Sequence, residues 1–342
     1  MRRILIVRTD RIGDVVLSTP VIKAVRDAYP DGFIGMMVSS CARDIVDGNP
    51  YLDEVIVFDK KRFGGIFGAF RFSAILRNKN FDTALILHPV KRVHIILWLA
   101  GIKKRVGLDK KWAFLLTDKL PHTKQLGQKH EIDYNLEIAA AIGADTGQKN
   151  MLVPVKPNNR LRVENILKEN GLNDKGGFVV MHPGASCPSK RWPAKRFAAA
   201  ADTITERFNK KVIVVAGAND KRFAREMSDA MENEALDLSG DLSVGELSAL
   251  LEKAGLLISN DSGPVHMAVA LGVPVVAIFG RSEPGLSPRR WGPAGKDDII
   301  LHKDLGCSPC LAHECKEGFK CLTAIEPEEV VEAAGKLLRI NG

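Results

Sequence analysis

An alternation constrains this chain more than any single motif does. Short apolar, β-branched runs are separated by helix-length amphipathic stretches; the pattern starts at Arg3, breaks near Pro154 and begins again. Such alternation is the signature of βαβ units, which build parallel sheets covered by helices on both faces. In the first half it predicts strands at Arg3–Val7, Ile34–Val38, Glu54–Val57 and Thr83–Leu87, a helix starting near Val15 and a helix at Glu131–Ile142. The segment Pro154 to Asn158, with its two prolines, reads as a linker. In the second half strands fit Phe178–His182, Lys211–Ala216, Leu256–Ser259, Val273–Phe279 and Ile299–Leu301. Helices fit Ala194–Phe208, Lys221–Asn233, Val244–Lys253, Pro264–Leu271 and Pro327–Arg339.

The expected fold class is therefore α/β, with two Rossmann-like, doubly wound domains facing each other across a cleft. They are residues 1–155 and 156–326, with the terminal helix, 327–342, expected to fold back over the first half. A length of 342 residues suffices for two separate cores. The composition, 45% hydrophobic and 26% charged, belongs to a globular chain rather than a disordered one. The opening MRRILIVR is too short in its apolar part for a signal peptide, and the apolar window around His94 to Ile102 is too short for a membrane span. A cytoplasmic protein is expected. The net charge of +8 favours an anionic partner, but no nucleic-acid-binding motif is present, so a nucleic acid is not expected among the partners.

In doubly wound sheets ligands bind where strands end and helices begin. The first such loop, Arg8 to Asp14, has one glycine and lacks both the dinucleotide fingerprint and a P-loop. It offers a carboxylate, Asp14, beside Gly13, where another molecule can approach closely; plain helix capping by Asp14 is the competing reading. The loop from His182 to Pro193 combines small residues with Ser186, Ser189, Lys190 and Arg191, a set suited to phosphate, whereas Trp192 reads as packing. In the loop from Ala216 to Asp220, Asn219 and Asp220 suit ribose hydroxyls or a helix cap. In Asn260-Asp261-Ser262-Gly263-Pro264, a helix start supplies unpaired N–H groups and a positive dipole end, Ser262 a hydroxyl and His266 a nearby imidazole. Asp261 would be repelled by phosphate and is expected to bind sugar hydroxyls or to orient Lys190 or His266.

Taken together, Arg8–Asp14, the HEIDYN segment at His130–Asn135, Ser186–Pro193 and Asn260–Gly280 resemble glycosyltransferase family 9, the ADP-heptose:lipopolysaccharide heptosyltransferases. The resemblance implies the GT-B fold, with the acceptor on the first domain and the nucleotide sugar on the second. It implies an inverting transfer of heptose from ADP-heptose to a lipopolysaccharide inner-core acceptor, with Asp14 as general base. Ser186, Lys190, Asn219, Asp220, Asp261, Ser262, Gly263 and His266 would bind the nucleotide sugar. Asn219 stands where some members carry Glu, which leaves the ribose contact open. Arg11, Gly13, Lys91 and Arg92 would face a phosphorylated lipid A/Kdo-type glycolipid, with peripheral association at the inner membrane. No cofactor is expected for catalysis: the sequence has no Asp-x-Asp motif, and Lys190 with a helix N-terminus would take the place of a metal. The alternatives are an autotransporter-type protein heptosyltransferase, a nucleotide-sugar epimerase, and a non-catalytic nucleotide-sugar-binding protein.

Four of the six cysteines, Cys307, Cys310, Cys315 and Cys321, cluster before the last helix. In a cytoplasmic protein such spacing suits a structural zinc or iron site, with disulfides and free thiols as the other readings. Similar clusters occur in the family, and iron is typical of its members that glycosylate autotransporters.

Overall fold

The computed structural model of the chain describes residues 1–172, 176–307, 310 and 312–340. They divide into two compact units. One comprises residues 1–125 and 129–154; the other comprises residues 126–128 and the chain from Val155 onward.

The first unit holds strands β1 (Arg3–Arg8), β2 (Phe33–Ser39), β3 (Glu54–Phe58), β4 (Thr83–Ile86), β5 (Lys104–Leu108) and β6 (Asp118–Leu120). They form one parallel sheet in the order β3-β2-β1-β4-β5-β6. The second unit holds β7 (Phe178–His182), β8 (Lys211–Val214), β9 (Leu236–Asp237), β10 (Leu256–Asn260), β11 (Val275–Phe279) and β12 (Ile299–His302). Its parallel sheet runs β12-β11-β10-β7-β8-β9, so both sheets have the same doubly wound order. The central strands are apolar because helices cover both their faces: β7, β10 and β11 are buried throughout.

In such an order the winding direction reverses beside the first strand. The two reversal points lie between β1 and β4 and between β7 and β10. The carboxyl ends of these strands carry Arg8, Ile86, His182 and Asn260, so the loops singled out above leave the sheets where a crevice opens.

The structure differs from the sequence reading at several elements. The strands β5 and β6 are absent from the sequence reading, their segment being marked by Lys103, Lys104 and Arg105. In β5 the Arg105 guanidinium turns back onto the Leu115 carbonyl at 2.6 Å, and Val106, Gly107 and Leu108 are buried. The supposed linker already contains Pro157 as first residue of the helix Pro157–Glu169, where its missing N–H costs nothing. The helix expected over Lys221–Asn233 stops at Ser228. Beyond it Asp202 captures the amides of Glu232 (3.0 Å) and Asn233 (2.8 Å), which takes the chain out of helical geometry.

The helix Pro327–Ile340, expected to fold back over the first half, packs on the helix Ala194–Phe208, and Val330, Val331, Ala334 and Leu337 lie in the core of the second unit. Residues 341 and 342 of that stretch lie outside those described. The same core holds Trp192, fully buried and edge-on to Phe197, whose Nε1 donates to the Ile325 carbonyl at 3.0 Å. Trp192→Ala is expected to cost about 3–5 kcal/mol. Trp192→Phe should cost less, since Arg196 Nη1 still reaches the Ile325 carbonyl at 2.7 Å. Urea midpoints at unchanged slope are the check.

Candidate functional site

At the first reversal point, β1 ends in a buried arginine. Arg8 Nε donates to Asp10 at 2.8 Å, one Nη donates to Asp14, and the other reaches Glu131 at 3.1 Å and Asn135 at 3.2 Å. Lys124 Nζ also bonds the fully buried Glu131, at 2.6 Å. Asn135 Nδ2 in turn donates to the Leu17 carbonyl, tying the helix Glu131–Ala140 to the turn that follows the helix Ile12–Val16. His88, past the end of β4, lies 3.4 Å from the other oxygen of Asp10.

Asp14 sits in the first turn of its helix but makes no capping bond; the N-cap position belongs to Arg11. Its carboxylate is spent on Arg8, so the capping reading fails here. Burial pushes the Asp14 carboxyl above its ordinary value, against the pull of Arg8. Burial likewise works against the charge of Arg8, but Asp10, Asp14 and Glu131 outweigh it and hold the guanidinium protonated. The result is an aspartate that is fixed in place, only partly accessible and a stronger base than usual. Gly13 is buried beside it, and Arg11 is exposed. Lys91 and Arg92 open the helix Lys91–Leu99 after the neighbouring β4, with Lys91 Nζ 5.8 Å from the Trp112 ring centre.

At the second reversal point the structure brings together Lys190, Asp261, Ser262, Gly263 and His266. Asp261, 5% exposed, takes Lys190 Nζ at 2.9 Å and Arg281 Nη2 at 2.8 Å on a single oxygen. Asp261 therefore orients Lys190, one of its expected roles, and two cations on one carboxylate leave a positive excess. Ser262 occupies the N-cap position of the helix Gly263–Ala270 without capping it. Its hydroxyl instead contacts Ser259 at 2.9 Å and His182 Nδ1 at 3.2 Å, leaving the first amides of the helix without a side-chain cap. Burial drives the His182 imidazole down to about 4, so it is neutral at physiological pH. His266 is buried in the first turn.

The remaining sequence-derived residues lie in adjoining loops. Ser186 is exposed in the loop after β7. Asn219 is exposed after β8, and Asp220 makes no capping bond to the helix it precedes. A Cβ on Gly184 would lie 3.0 Å from an Asp220 oxygen and 3.2 Å from His182 Nε2, so glycine there lets the two loops close together. Sequence reasoning missed Arg8, Asp10, Lys124, Glu131, His182, Ser259 and Arg281 as site residues. The available signal was position: Arg8 and His182 are polar residues ending otherwise apolar strands.

None of the four clustered cysteines is in a disulfide. Cys321 Sγ donates to the Gly280 carbonyl at 2.6 Å and Cys315 Sγ accepts from the Phe319 amide at 3.4 Å. Among the described residues no three His, Cys, Asp or Glu side chains converge to hold a metal ion.

Comparison with known proteins places the chain in a family. The chain is 24% identical over 336 residues to lipopolysaccharide heptosyltransferase 3 of Escherichia coli K12, covering 95% of each sequence. A glycosyl transferase family 9 structure from Veillonella parvula superimposes with a TM-score of 0.89 at 28% identity, over 98% of this chain and 97% of that one. E. coli ADP-heptose lps heptosyltransferase II, at 22% identity, has the same fold with a TM-score of 0.82, over 100% of this chain and 99% of that one. Residues 69–320 match the family described as glycosyltransferase family 9 (heptosyltransferase). With two parallel Rossmann-like sheets of GT-B type, this chain belongs to glycosyltransferase family 9 and is a glycosyltransferase.

Proposed function

We propose that the enzyme transfers heptose, with inversion, from ADP-heptose to the inner core of lipopolysaccharide at the cytoplasmic face of the inner membrane. The observation that carries this reading is the state of Asp14: a carboxylate withdrawn from helix capping, oriented by a buried arginine and raised in basicity by burial. Asp14 takes the proton from the acceptor hydroxyl as its oxygen attacks the anomeric carbon of the donor, and ADP departs. A base placed in this way contributes roughly 10²–10⁴-fold. The first unit also presents Arg11, Gly13, Lys91 and Arg92 to a phosphorylated lipid A/Kdo-type acceptor.

The second unit would hold the nucleotide sugar. Lys190, positioned by Asp261, and the amides opening the helix Gly263–Ala270 stabilise the diphosphate as its charge grows. Ser186, Ser262 and His266 complete the phosphate contacts, and Asn219 and Asp220 face the ribose. This arrangement supplies positive charge from the chain itself, so transfer is proposed to proceed without a bound metal. A structural metal at Cys307, Cys310, Cys315 and Cys321 would require those thiols to rearrange. Elemental analysis of protein purified without chelator should find less than stoichiometric zinc and iron; one bound equivalent would reinstate the site.

With ADP-heptose and a lipid acceptor, Asp14→Asn is expected to lower kcat by about 10²–10⁴-fold at little cost in donor affinity. Undiminished turnover would remove the base assignment, and transfer only to polypeptide would move the enzyme to the protein-glycosylating group. Lys190→Ala should lower kcat/KM for the donor roughly ten- to a hundredfold. Because the base must be deprotonated and its pKa is raised, kcat/KM should fall on the acid side at a pH above the ordinary aspartate value of about 3.9. Arg8→Met leaves three carboxylates around an empty centre and should cost about 3–5 kcal/mol. That deficit should shrink as pH falls and the carboxylates take up protons, a trend visible in urea melts at several pH values.

A further inference from the structure

The helix Gly65–Asn78, which follows β3, buries Gly68, Ala69, Phe72, Ser73 and Leu76 against the first unit. Helical spacing places Ile66, Phe67 and Phe70 on the opposite side. There they are 75%, 86% and 54% exposed, three large apolar side chains within two turns. Scattered exposed hydrophobics are ordinary, but a cluster of this density marks a binding surface. Just ahead of it lie Lys60, Lys61 and Arg62, all exposed.

A further exposed aromatic lies two packed elements away. The helix Gly65–Asn78 packs on the helix Lys91–Leu99, which in turn packs on the short turn Ala113–Leu115. That turn carries Phe114, 69% exposed, preceded by the exposed Lys110 and Lys111. All of these segments follow the carboxyl ends of parallel strands, β3, β4 and β5, so they line the sheet edge that also bears the Asp14 loop after β1. Apolar and aromatic side chains bordered by lysine and arginine are what an anionic lipid surface accommodates: rings enter the acyl boundary while the cations stay among the headgroups.

We infer that Ile66, Phe67, Phe70 and Phe114, with their bordering basic residues, dock the first unit on an anionic phospholipid bilayer, with the Asp14 edge of the sheet turned towards the membrane. The inference rests on the proposed lipid acceptor for its purpose, but the docking is tested without any acceptor. Full-length protein is sedimented with phosphatidylcholine vesicles, with or without phosphatidylglycerol. Binding should require the anionic lipid and weaken as salt is raised. Phe67→Ser/Phe70→Ser should lower the partition coefficient about tenfold or more. The variant should keep its circular dichroism spectrum and its turnover on a deacylated, water-soluble acceptor. Failure of the wild type to bind anionic vesicles, or equal binding by the variant, would overturn the proposal. So would a wild-type dimer that the double substitution splits into monomers, since a second copy would then be what covers the patch. Wild type that binds vesicles yet transfers no heptose would instead sink the functional reading and leave the docking intact.

Discussion

The guanidinium of Arg8 is the hub of the buried polar network at the end of β1, and the chemistry proposed for the first unit depends on it. Three carboxylates gathered at the end of a buried strand would repel one another and draw in protons; one fork-shaped cation makes the gathering stable. Its planar geometry also fixes directions, with Asp10 on one side, Asp14 on another, and Glu131 with Asn135 behind. A lysine there would supply the charge without the fork. Lys124, which shares Glu131, supports the rear of this network, not the face that carries Asp14.

The second unit solves a mirrored problem. There the hub is an anion, Asp261, and the groups it gathers are cations, Lys190 and Arg281. Both hubs sit where the same strand order reverses, so one topology used twice yields a basic carboxylate in one unit and an excess of positive charge in the other. The proposed attack by an oxygen nucleophile and departure of a diphosphate would draw on those two environments.

The sequence revealed the fold class because buried central strands must be apolar and their crossover helices amphipathic, a signal that survives without any knowledge of contacts. It failed where charge disguised structure. Lys104 and Arg105 begin a strand, and the polar start of Pro157–Glu169 resembled a linker. Among the site residues, those in the loops announced themselves by type and spacing. The network behind them did not, since Glu131 and Arg8 are distant in sequence and meet only when the helix Glu131–Ala140 lies beside the end of β1. The capping and site readings of Asp14 were indistinguishable by sequence, because the same residue type serves both uses. Only the direction of the side chain separates them.

One detail of the second unit has reach beyond packing. The stretch from Cys321 to Ile325 is wedged beneath the loop that carries Lys190. The Cys321 thiol holds the Gly280 carbonyl, Ile325 receives the Trp192 indole, and a Cβ on Gly280 would collide both with Leu322 and with the Ser189 carbonyl. This stretch thus acts as a strut under the loop that carries Lys190. If Lys190 grips the leaving group as proposed, displacing this stretch would slacken that grip as well as open the core that Leu322 and Ile325 fill.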